Sequence, residues 1–454
     1  MQRRAFLHHT LGGCAGLGLM AASHLLAGTT HHTPRAKRVI QLFMNGGASQ
    51  CDLFDYKPLL AKRHGQTFNP GEGFRVEAAT STPGKVLAPP FPLRQRGGSG
   101  RWVSDLLPHT ARHVDEFAFL MAMKSRTNVH GPASYLMNTG FVLPGFPCLG
   151  AWVSFALGQL ADNLPTFVVL PDPHGLPYNA TGNFGAGFLP VQHQGTIIER
   201  NRIPFLERPS DSTPDAERDG LALLGKLDRS FADRDTADSR LSARVEAYAL
   251  AARMQLAAPE ALDLSRETSR TQAMYGIGDK ATDDFGRRCL TARRLIERGV
   301  RFVQVWSGAG GPSNNWDNHN SMVKELPPMC AATDRPTAAL FADLKQRGLL
   351  DDTLLIWSTE FGRMPFAQGG EGRDHNGGTF VGWMAGAGIK GGVAYGESDE
   401  WSWKAAKEVC STYDFHATVL HLLGIDHEKL SVRHDGADRR LTDVHGHVIE
   451  PILR

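Results

Sequence analysis

Arg38-Val-Ile-Gln-Leu-Phe-Met44 is a short, mainly apolar run that ends in Asn45-Gly46-Gly47, the pattern of a buried strand running into a loop. The C-terminal end of such a strand is where an open α/β sheet places its chemistry. Further apolar runs at Phe117–Met121, Thr166–Leu170, Arg301–Trp306, Thr353–Trp357 and Thr379–Ala385 alternate with helical patterns that include Cys148–Gly158 and Asp334–Arg347. The alternation predicts an α/β fold, with a mostly parallel sheet flanked by helices on both faces.

The 454 residues around this run are 41% hydrophobic and 21% charged, which excludes a mainly disordered, collagen-like or polytopic membrane chain. A formal charge of +2 implies no polyanionic partner, so nucleic acid is not expected. Nineteen histidines are a generous supply of groups that ligate metals or move protons near neutral pH.

Arg3-Arg4-Ala5-Phe6-Leu7 opens the chain, and an uncharged stretch rich in Gly, Ala and Leu follows from Leu11 to Ala27. This is a twin-arginine export pattern, which predicts a signal over residues 1–27 and a periplasmic or extracellular protein. A membrane span would need about 20 strongly apolar residues, whereas this stretch is Gly-rich and broken by Ser23 and His24, so no stable span is expected after signal removal. Residues 28–37 read as a linker and 38–454 as one domain. Without Cys14 there remain Cys51, Cys148, Cys289, Cys330 and Cys410, an odd number without CxxC spacing, so neither a zinc knuckle nor a disulfide framework is visible.

Between about Asp211 and Gly299 the composition shifts to Ala, Leu, Arg, Asp and Glu, with Phe285, Cys289, Ala292, Leu295 and Ile296 at helical spacing. A helical insertion packed outside the sheet is expected there. The last helix starts at the capping-box pattern Ser411-Thr-Tyr-Asp414, buries Phe415, Val419, Leu422 and Leu423, and ends at Gly424.

Five polar loops are expected after the strand patterns: Asn45–Asp52, Asn128–Ser134, Asn314–His319, Thr359–Arg363 and Gly372–Asn376. Carboxylate and imidazole together, without paired thiols, suit zinc, manganese or iron. Arg363 or Arg373 offers a bidentate fork for an anionic substrate. Any one of these segments alone is as well explained by turn and capping chemistry, but five at strand ends favour a site.

Gly348–Gly362, with Glu360 after the run Leu354–Ser358, resembles the segment of the alkaline phosphatase and sulfatase superfamily in which a strand ends in an acidic metal ligand. Tyr413–Ile425 resembles that superfamily's C-terminal helix. The motifs Asn45-Gly-Gly, Asp52-Leu-Phe-Asp55, Asn138-Thr-Gly, Glu360-Phe-Gly-Arg363 and Arg373-Asp-His-Asn376 identify the chain as a member of a family of exported bacterial proteins, domain of unknown function 1501, within that superfamily.

The resemblance implies an alkaline phosphatase-like fold and roles for particular residues. The superfamily's strand-end metal-binding Asp stands here as Asn45, so that role passes to Asp52 or vanishes. Counting back from Thr139-Gly140, the nucleophile position falls on His130 with Pro132 two residues on, which leaves His130 as nucleophile, metal ligand or remnant. Glu360 matches the later acidic ligand, but its neighbour Phe361 cannot ligate. Asp374-His375 resembles the downstream ligand, and Asp317 with His319 resembles the Asp and His pair. No Cys-x-Pro-x-Arg or Ser-x-Pro-x-Arg is present, so formylglycine cannot form at such a motif.

The expected function is a metal-dependent hydrolase of sulfate or phosphate esters. Asp52, His130, Asp317, His319, Glu360, Asp374 and His375 would hold divalent metal (zinc, manganese or calcium), with His130 and Arg363 catalytic and Asn45, Ser134 and Arg373 on substrate. The alternative is a catalytically silent relative that binds an anionic glycan or a partner protein.

Overall fold

In the computed structural model, which describes residues 30–71, 76, 83–200, 203, 213–232, 258–368 and 370–454, strand β1 is Arg38–Met44, buried from Val39 onward. In chain order the other strands are β2 Leu93–Arg96, β3 Arg101–Ser104, β4 Phe117–Lys124, β5 Phe167–Leu170, β6 Thr196–Ile197, β7 Phe302–Ser307, β8 Thr353–Ser358, β9 Gly362–Gln368, β10 Gly372–Asn376, β11 Phe380–Gly386 and β12 Val393–Tyr395. The central sheet runs β12-β4-β11-β8-β1-β7-β5-β6. β1 pairs in parallel with β7 and with β8, placing Leu42 beside Val305 and Trp357. Only β11 breaks the parallel run within this path, lying antiparallel to both β4 and β8.

Alternate residues of each strand enter opposite cores, as a period of two requires. Ile40, Leu42 and Met44 of β1 join Val303, Val305, Leu355 and Trp357 on one face, where the helices Asp283–Glu297 and Met322–Gln346 supply Leu290, Leu295, Leu340 and Phe341. Val39 and Phe43 join Phe302, Trp306, Leu354 and Ile356 on the other, against Trp152 and Val153 of the helix Leu149–Leu157 and Phe415 and Val419 of the helix Thr412–Leu422. Both faces are therefore covered, and the protein has the mostly parallel α/β architecture with flanking helices. Gln41, a polar residue inside β1, is tolerated because its amide donates to Ser358 Oγ at 3.0 Å and its oxygen accepts from Gln304 at 3.2 Å.

The signal segment 1–27 lies outside the described residues. Thr30–Lys37, expected as a linker, is tied down: His31 and Ala36 donate backbone hydrogen bonds to Gly424 and Leu422, and Ala36 is buried. The stretch expected as an external insertion divides. Pro214–Ala232 is a helix, whereas Asp283–Glu297 packs directly on the sheet, because its apolar stripe Phe285, Cys289, Ala292, Leu295 and Ile296 faces the core. The final helix has the full capping box between Ser411 and Asp414. No described helix is long and apolar enough to cross a membrane.

Candidate metal centre

The C-terminal ends of β1, β7 and β8 open on one side of the sheet, and the β9–β10 hairpin, rather than two loops, closes over them. Gly46 and Gly47 follow β1 with φ of +119° and +77°. A Cβ on Gly46 would lie 2.6 Å from the Asp317 nitrogen, so only glycine lets this turn press against the loop after β7 and fix Asp317.

Asp317 is the focus of four side chains. Its Oδ1 lies 2.7 Å from His319 Nε2, 3.0 Å from His375 Nε2 and 2.5 Å from Arg363 Nη2, while Oδ2 lies 3.2 Å from His130 Nε2. His130, Asp317, His319 and His375 each bring one ligand atom to a group whose members are all within 4.8 Å of one another. Each imidazole is held through its other nitrogen: His130 Nδ1 by Glu360 Oε1 at 2.8 Å, His375 Nδ1 by the Asn128 carbonyl at 2.8 Å, and His319 Nδ1 by the Gln368 amide oxygen. Those acceptors fix Nδ1 as the protonated nitrogen and leave the Nε2 lone pairs converging.

Convergence of that kind suits a cation. His319 Nε2 and His375 Nε2 stand 2.8 Å apart, where two lone pairs repel unless a proton or a metal lies between them. His130 Nε2 is buried and, despite its closeness to Asp317, lacks the alignment for a hydrogen bond. Burial is the main cause that pulls the His375 imidazole down to about 4; Asp317 opposes it, and Arg363 and His130 add to it. Burial also works against charge on His130, but the adjacent carboxylates of Asp317 and Glu360 outweigh it and raise its pKa. For Asp317, burial is outweighed by Arg363 and the three imidazoles, which hold the carboxyl well below the usual carboxylate range. The residues present fit a metal: three imidazoles and one carboxylate make a donor set for a borderline cation.

Other expected site residues are placed elsewhere. Asp52 does not join the group, because Arg373 takes both of its oxygens at 2.7 and 2.9 Å and Ser49 Oγ adds a third bond at 2.5 Å. Arg373 is fully buried, with its remaining bonds on the Met364 and Leu87 carbonyls, and cannot reach a substrate. Arg363 is equally sealed: it donates to the carbonyls of Gly46, Gly47 and Arg373 and to Asp317, so it positions Asp317 instead of meeting a substrate anion. Glu360 is a buried carboxylate beside His130 that also accepts from the Gly46 N–H at 2.8 Å, one residue removed from the ligand group. Asp374 accepts from its neighbour, the His375 N–H, at 2.7 Å and is buried. Ser134 is buried and donates to Asn183 at 2.8 Å; Asn45 is buried with its amide on the Gly308 and Ala309 carbonyls.

Sequence reasoning missed Tyr178. Its ring stacks on the His130 imidazole, with centroids 4.3 Å apart and 7° between planes. Its hydroxyl donates to the Gly311 carbonyl at 2.9 Å and lies 3.5 Å from Asp317 Oδ2. Burial, then the Asp317 charge, pushes this phenol up to about 12. The signal was available, since Pro171–Ala180 follows β5 as the chosen segments follow their strands. Phe361, noted as unable to ligate, packs its ring 4.8 Å from both His130 and His375 and walls the group. A separate cavity of about 640 Å³ lies beyond β5 and β6, at the start of the helix Asp283–Glu297, lined by Asp172, Leu176, Glu199, Asp284 and Arg288 among others.

No curated protein matches this sequence. Among solved structures, the chain is similar to the lipoteichoic acid synthase LtaP from Listeria monocytogenes, at 8% identity and a TM-score of 0.39 over 90% of this chain and 78% of that one. It is similar to the PsFucS1 sulfatase from Pseudoalteromonas sp., at 12% identity and 0.36 over 90% and 70%. It is also similar to a magnesium-bound variant of TAB5 alkaline phosphatase, at 9% identity and 0.34 over 86% and 98%. The model of one family, described as protein of unknown function (DUF1501), matches residues 36–453, and the chain belongs to that family.

Proposed function

We propose that this protein is an exported, metal-dependent hydrolase of sulfate or phosphate esters. The observation that carries the reading is the convergence of His130, His319 and His375 Nε2 on the Asp317 carboxylate, with every Nδ1 already committed. A divalent cation there would polarise an ester oxygen and lower the pKa of a bound water. Nitrogen-rich ligation supports zinc or another borderline metal over calcium, which takes six to eight oxygens. His130 is read as a ligand and not a nucleophile, because its Nδ1 is on Glu360 and its Nε2 points into the group.

Elemental analysis of the folded protein tests this, together with turnover of p-nitrophenyl phosphate and p-nitrophenyl sulfate. About one equivalent of a transition metal is expected, lost with activity in His319→Ala and in His375→Ala. Protein without metal under any loading condition would end the reading.

The burial of Arg363 and Arg373, which leaves neither guanidinium to offset charge that develops on a transferring group, favours a second reading. In it the chain binds an anionic glycan or a partner protein at this site without turnover. Metal-loaded protein that binds inorganic phosphate yet turns over no ester would support it.

A further inference from the structure

With Arg363 and Arg373 sealed, an anion at the metal centre needs another donor, and Tyr178 is placed to be one. The ring lies flat on His130, and the hydroxyl sits between two acceptors, the Gly311 carbonyl at 2.9 Å and Asp317 Oδ2 at 3.5 Å. The segment that carries it is built for that placement. Asn179 and Ala180 adopt φ of 66° and 47°, a left-handed pair that is costly for an alanine. Asn179 donates to the carbonyl of Gly131, next to His130, at 2.6 Å, and the Asn183 amide holds the Tyr178 carbonyl. Gly310 packs against the Tyr178 backbone, where a Cβ would fall 2.8 Å from the Tyr178 nitrogen.

We propose that Tyr178 contacts the substrate: its phenol O–H donates a hydrogen bond to an oxygen of a tetrahedral oxyanion, phosphate or sulfate in kind, bound beside His130, Asp317, His319 and His375. The proposal rests on the metal-hydrolase reading. An unperturbed phenol is protonated near neutral pH. Rotation about Cζ–Oη turns its one proton from the Gly311 carbonyl towards the side on which Asp317 lies, where the anion's oxygen takes it. The contact supplies the donor that the buried guanidiniums cannot.

The test compares zinc-loaded wild type with Tyr178→Phe, which keeps the ring on His130. The metal content of each is measured, and the binding of inorganic phosphate is followed by calorimetry. Expected are equal metal content and phosphate affinity weaker by roughly tenfold or more in the variant, the scale of a hydrogen bond to a charged group. Equal phosphate affinity in the two proteins overturns the proposal. So does loss of metal from Tyr178→Phe, which would make Tyr178 a positioning residue for His130. Wild type that holds zinc but no phosphate overturns the Tyr178 contact and leaves the metal centre standing, whereas wild type that holds no metal removes the reading beneath it.

Discussion

His130 and Glu360, 230 residues apart in the chain, meet through a 2.8 Å bond between Nδ1 and Oε1. The carboxylate fixes the tautomer, aims Nε2 into the ligand group and ties the same atom to the Gly46 N–H. A buried carboxylate behind a ligating imidazole raises its basicity and sets its orientation.

Glu360→Gln should therefore lower zinc affinity by roughly 10 to 100-fold, without abolishing binding. Competition against a chelator of known affinity measures it. Unchanged affinity would remove Glu360 from any part in the site.

Asp52 and Arg373 form a fork with side chains wholly buried. Removing one partner leaves a charge in the core, which costs about 3–5 kcal/mol. Asp52→Ala should lose stability on that scale in urea unfolding, yet the folded fraction should bind as much zinc as wild type. Asp52→Leu with Arg373→Met should recover much of the loss, because neither charge is then stranded. Zinc lost in proportion in Asp52→Ala would return Asp52 to the metal site.

The strand pattern was legible in the sequence because each run is buried on both faces, as β1 and β8 show, and a doubly buried strand reads as a continuous apolar stretch. His130, Asp317, His319 and His375 were legible for a related reason: all lie just past strand ends or on the hairpin beyond one, where polar residues have little structural excuse. Pairing was not legible. Nothing local says that Asp52 meets Arg373 across 321 positions, or that Arg363 spends its donors on the Gly46 and Gly47 carbonyls, since such partners are chosen by tertiary packing. Tyr178 was overlooked because an aromatic residue among prolines reads as packing, and its polar atom has meaning only once the loop after β7 lies beside it.

Export is expected to depend on Arg3 and Arg4, because the twin-arginine transporter reads both side chains. The double variant Arg3→Lys, Arg4→Lys should remain in the cytoplasm when cells are fractionated. Wild-type amounts in the periplasm or medium would refute the signal assignment.

Acid should destabilise the fold through His416, which is buried in the helix Thr412–Leu422 with one bond, from Nε2 to the Met137 carbonyl at 3.0 Å, while Nδ1 has no partner. Burial holds this imidazole down at about 4, against about 6.5 in an unfolded chain. Between those values the unfolded state takes up a proton that the folded state refuses. Stability is thus full above about pH 6.5 and falls as the pH drops towards about 4, by about 3 kcal/mol from this one residue. His416→Leu removes the titration while losing the Met137 bond, so the variant is weaker at neutral pH but flatter in its response to acid. Urea unfolding at about pH 7 and about pH 4.5 separates the two effects, because only the difference between the pH values reports on the imidazole. If wild type and His416→Leu lose the same stability over that interval, the imidazole titrates alike in both states and its burial has no part in acid unfolding.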